Sequence, residues 1–133
     1  MRTSAQAAVL AFAILGTPPA FAHHSFAAGY DGEQQVEITG KVTKVDWANP
    51  HVHFTIDVKG DDGKVTPWRF EGYPTNMLVR QGWKRDETMK VGDTVTVFGW
   101  HARSEPNLAA ARWVTWADGH KLAAGPPAGT GGR

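Results

Sequence analysis

From His51 to Val58, apolar and polar side chains alternate without a break. Val52, Phe54, Ile56 and Val58 take one parity, and His51, His53, Thr55 and Asp57 take the other. A period of two held over eight residues demands a strand with one dry and one wet face. The rest of the chain must supply a sheet for it. Upstream, Val36, Ile38 and Val42 share a parity, whereas Val45 and Trp47 fall on the opposite one. Val36 to Trp47 therefore reads as one long strand, bulged or sharply bent at Gly40. Ala48-Asn49-Pro50 ends it, because Pro50 has no N–H to give a ladder.

Downstream, Lys59-Gly60-Asp61-Asp62-Gly63-Lys64 has hairpin composition. Val65 to Glu71 follows as a third strand, with Trp68 and Phe70 on one face and Pro67 placing part of it at a sheet edge. Gly72-Tyr73-Pro74 interrupts the β pattern. Thr75 to Gln81 reads as a short helix, with Thr75 or Asn76 as its cap and Gly82 at its C′ position. Val91-Gly92-Asp93 turns into a fourth strand, Thr94 to His101. Arg112 to Trp116 is a fifth, and Asp118-Gly119 leads into His120-Lys121-Leu122. Three strands, a helix and then further strands predict a mainly β fold. It is a small five- to six-stranded OB-like Greek-key barrel with one short helix between strands three and four. A simple meander sandwich is the alternative order.

The first 22 residues read as an export signal. Met1-Arg2 is a positive start, Ala5 to Leu15 is apolar and uncharged, and Ala20-Phe21-Ala22 is an A-x-A cleavage site. A cut after Ala22 makes His23 the first residue, followed by His24. The expected organisation is a signal at 1–22, a barrel at 23–124 and a disordered Gly/Pro-rich tail at 125–133, with a periplasmic or secreted location. The apolar run is about 11 residues, short of the roughly 20 a spanning helix needs, so no membrane span is expected after cleavage. Arg2 is the only charge before the cut, so 13 of the 14 Lys and Arg face 13 Asp and Glu, with interspersed signs. That balance provides no stripe for displacing phosphate counterions, and nucleic acid is not an expected partner. Without cysteine, any metal would need imidazole, carboxylate, thioether or amine donors.

Several pieces carry a resemblance: His23-His24-Ser25-Phe26, Trp47-x-Asn49-Pro50-His51, Asp62-Gly63-Lys64, Gly82-Trp83 and Gly92-Asp93-x-Val95-x-Val97-x-Gly99. Together they resemble the bacterial domain of unknown function 6152 family, over roughly Ala22 to Leu122. The resemblance implies a secreted, OB-like single domain and no particular activity.

The candidate chemistry is metal binding. If His23 is residue one, its amine and imidazole chelate one ion in a favourable ring. A further imidazole from His51 or His53, which share a strand face, completes a three-nitrogen set suited to Cu(II). His24 is a spare ligand or lies behind the first set. A cut after Ala20 would instead place His23 third, where amine, amides and imidazole bind Cu(II) or Ni(II) in a plane. The alternative is a carbohydrate- or protein-interaction module, without metal, whose aromatic face uses Trp47, Trp68 and Trp100. A protein partner is not identified. His101 and His120 read as surface residues near strand ends. Catalysis is not expected: Glu71, Asp57 and Asp93 are scattered, and there is no nucleophile elbow or phosphate-binding Gly-rich loop.

Overall fold

A computed structural model describes residues 26–128. The element order is α1 (Phe26–Gly29), β1 (Tyr30–Asp46), β2 (His53–Lys59), β3 (Val65–Glu71), α2 (Thr75–Arg80), β4 (Thr94–Ala102), β5 (Leu108–Trp116) and β6 (Lys121–Ala123). β1 serves two neighbours. Its first part, from Tyr30 to Lys41, pairs antiparallel with β4, and Lys41 to Asp46 pairs antiparallel with β2. The resulting order β3-β2-β1-β4-β5-β6 is closed by a parallel pairing of β3 with β5. A Greek-key order closed in this way, with a helix between β3 and β4, is the expected OB-type barrel. No helix among the described residues is long and apolar enough to cross a membrane.

The interior follows the strand alternation. Val52, Phe54 and Ile56 are buried with Phe70, Val95, Val97 and Val114. The change of parity in β1 is real, but its cause is not Gly40. The β1–β2 register slips between Val42 and Lys44, so the extra residue is Thr43, which returns Val45 to the core. Gly40 answers a different need. A Cβ there would lie 2.5 Å from the Asp57 carbonyl oxygen, so the strands approach too closely for a side chain.

Two strands run further than their sequences announce. β1 begins at Tyr30 rather than Val36, and β5 at Leu108 rather than Arg112. The added stretch of β5 holds Ala109, Ala110 and Ala111, all buried; alanine has low strand propensity and marks no face. Pro67 fits its expected place, since only Arg69 to Glu71 of β3 pair with β5.

The helix between β3 and β4 is capped differently from expectation. Pro74 occupies the N-cap position with no side-chain cap bond. Instead, the Asn49 side-chain oxygen, from the β1–β2 loop, accepts from the backbone N–H (3.1 Å) and hydroxyl (3.0 Å) of Thr75. A distant side chain thus satisfies one of the orphan donors of the first turn. Gly82 has φ +96°, as a C′ residue should. The segment expected to be a loose tail starts in an ordered way. Gly125 is buried, and its carbonyl accepts from Arg112 Nη1 at 2.7 Å; residues 129–133 lie outside the described part.

Candidate functional site on the β2–β3 edge

The hairpin that closes Lys59 onto Val65 places His53 directly opposite Glu71. His51 precedes β2 rather than belonging to it, yet its side chain reaches the same place. Its Nδ1 lies 2.9 Å from the Gly72 carbonyl oxygen and 3.6 Å from Glu71 Oε1. A carbonyl can only accept, so the proton belongs on Nδ1, and the Nε2 lone pair is left free. Such an outer hydrogen bond to a backbone carbonyl is how metal-binding imidazoles are commonly oriented. His53 Nε2 lies 4.0 Å from Glu71 Oε2. Side-chain exposure is 44% for His51, 24% for His53 and 27% for Glu71, so the group is open to solvent on one side.

Glu71 is the residue that sequence spacing alone leaves apart from the histidines. The signal was present: once the hairpin loop is placed, the strand register makes Glu71 the partner of His53. Tyr30 completes the group by donating its hydroxyl to Glu71 Oε2. Burial, followed by the hydrogen bond to Glu71, raises the Tyr30 phenol far above its ordinary pKa, so it remains a donor. Tyr30 also lies against Phe26, with ring centroids 5.5 Å apart.

His53 is pushed towards neutrality. Burial lowers its pKa and the Arg69 guanidinium adds to this, opposed by Glu71 and by a backbone hydrogen bond with His51. Unfolded, the same imidazole takes up a proton near about 6.5. The folded protein therefore binds fewer protons as pH falls through that value, and stability declines until the folded group itself protonates. Replacing His53 by Asn should flatten part of the stability loss between pH 7 and pH 5, measured by urea unfolding at each pH. An unchanged pH slope would contradict the shift.

The other expected residues separate. His23 and His24 lie outside the described residues. Trp47 and Trp68 pack against the core, and the Trp68 ring also meets His101 edge-on at 5.7 Å. Trp100 is 6% exposed and lies between Phe26 and Phe98, at 5.4 and 5.8 Å. The three indoles expected to form an aromatic face thus share no open platform. Among the described residues, no three His, Asp or Glu side chains are grouped closely enough to hold a metal on their own.

Two solved structures are similar in backbone. One is the mitochondrial single-stranded DNA binding protein Rim1 of S. cerevisiae, at 10% identity, covering 70% of this chain and 96% of that one, with TM-score 0.47. The other is the N-terminal domain of PriB from Thermoanaerobacter tencongensis, described as dimeric, at 20% identity, covering 64% of this chain and 97% of that one, with TM-score 0.46. No curated protein matches the sequence. A family model, described as a family of unknown function (DUF6152), matches residues 11–109, and the chain belongs to that family.

Proposed function

We propose that the protein is an exported binding module that holds a Cu(II) ion at the β2–β3 edge, in the periplasm or outside the cell, after its signal is cut behind Ala22. The observation that carries this reading is the His51 imidazole: its Nδ1 is tied to Gly72, and its Nε2 has no hydrogen-bond partner among the described residues. In this reading His51 Nε2, or the His53 imidazole, is the protein-side nitrogen. His23 supplies its amine and its ring, and His24 stands in reserve. Three extended residues reach about 10 Å. Phe26 rests on Tyr30, whose hydroxyl is on Glu71, and the reading requires the three residues before Phe26 to carry His23 the rest of the way to the imidazole pair. Nitrogen and oxygen donors without thiolate suit Cu(II).

The role is binding rather than catalysis. Nucleic acid is not part of the reading, and no membrane span remains after the cut. The outward residues of β2 and β3 are His53, Thr55 and Asp57 beside Pro67, Arg69 and Glu71. One guanidinium, two carboxylates and no Trp, Tyr or Phe ring are a poor surface for stacked bases and phosphates.

The test is calorimetric titration of Cu(II) into two proteins that both begin at His23, one with a free terminal amine and one with that amine acetylated. The first should bind on the order of a hundredfold more tightly, because amine and imidazole of one residue chelate together. Binding should weaken as pH falls, because protons compete with Cu(II) for the amine and imidazole nitrogens. Equal affinities would reject the proposal.

A further inference from the structure

The barrel interior is already closed by Val95, Val97 and Val114. The same two strands nevertheless carry large rings on the opposite parity, with Phe98 directly across from Trp113. Glu37 of β1 and Ala123 of β6 continue this row at its two ends. The neighbouring row across the four strands is Thr39, Thr96, Thr115 and Lys121, and the Thr39 and Thr96 hydroxyls lie 2.7 Å apart. An outward strand face normally carries polar residues, so two opposed aromatics there call for an explanation.

Charge gives the face a direction. The Arg112 guanidinium carbon lies 4.2 Å from the Trp113 ring centroid, and the Lys121 ammonium lies 4.8 Å from it. Among the described residues, neither cation has a carboxylate within ion-pair distance. Arg112 is anchored by its bond to the Gly125 carbonyl. Lys121 is exposed, and its ammonium lies over the ring. Two cations gathered at one indole without a counter-charge make the β5–β6 side positive, and Glu37 makes the β1 side negative.

We infer that this outer face of β1, β4, β5 and β6 binds a carboxylated oligosaccharide. The flat C–H face of a pyranose lies on Phe98 and Trp113, its hydroxyls meet the threonine row, and its carboxylate meets Arg112 and Lys121. Lys121 swings off the ring to the incoming carboxylate and frees the indole for the sugar. A bilayer fits less well, because the rings are half-buried and flanked by threonine hydroxyls. The face uses other residues than the β2–β3 edge and needs no metal, so it stands or falls independently of the copper reading.

The test is a titration of the full processed chain with tetragalacturonate, followed by backbone amide NMR in the presence of EDTA at low ionic strength. Saturable shifts should map to β1, β4, β5 and β6, and neutral cellotetraose should bind at least about tenfold more weakly. Trp113→Ala and Lys121→Gln, which leave the core untouched, should each weaken the acidic oligomer about fivefold or more. Lys121→Gln should retain the native spectrum even if Trp113→Ala disturbs the sheet. No saturable shift, equal binding of the neutral sugar, unaltered affinity in Lys121→Gln, or a response only to phosphatidylglycerol vesicles would overturn the inference.

Discussion

Gly99→Ala is expected to destabilise the barrel by about 3 kcal/mol or more, the upper end of what overpacking costs. A Cβ at Gly99 would lie 1.8 Å from the Ala110 carbonyl oxygen and 2.8 Å from its carbonyl carbon. Both obstacles are backbone in β5, the strand that pairs with β4 and also with β3. No rotamer change relieves such a clash, so β4 and β5 must separate, and buried ladder bonds go with them. For a domain this small, the melting temperature should fall by more than about 10 °C. Gly29→Ala is the matched control, because nothing lies within 4 Å of its added methyl. Unfolding free energies from urea titration within about 0.5 kcal/mol of each other for the two variants would refute the argument.

His51→Ala is expected to weaken Cu(II) binding by on the order of a hundredfold, while leaving stability nearly unchanged. The side chain is substantially exposed, so its loss leaves no cavity in the core. His53→Ala should have a smaller effect on affinity, because on the copper reading His51 presents the freer nitrogen. Electron paramagnetic resonance of the bound Cu(II) checks the assignment through the number of coupled nitrogens. Loss of one nitrogen in His53→Ala but not in His51→Ala would exchange the two roles. An unchanged spectrum in both would remove these imidazoles from the site.

How much of this was legible follows from what each residue must do. β2 was plain because alternating Val52, Phe54 and Ile56 against His53 and Thr55 leaves only one reading. The helix after Pro74 was plain as well, but its cap was not. Asn49 is 26 residues from Thr75, and no local pattern reveals a side chain arriving from a distant loop. The start of β5 is hidden because Ala109 to Ala111 are small and all buried, so they show no alternation between a dry and a wet face. The candidate site was half legible. Strand alternation grouped His51 with His53, but Tyr30 belongs to a stretch of β1 with weak alternation. Its link to Glu71 depends on the barrel being closed.

Closure itself is narrow. Arg69, Phe70 and Glu71 pair with Leu108, Ala109 and Ala110, and one further backbone bond runs from the Arg69 N–H to the Asn107 carbonyl at 2.9 Å. A seam of three residue pairs is the cheapest place for the cylinder to part without unfolding as a whole. Glu71 lies in that seam, with His53 across from it on one flank and Tyr30 arriving from the other. Any ligand that engages both flanks at once would act as a clasp, and amide exchange along Arg69 to Glu71 would slow in proportion to how tightly it is held.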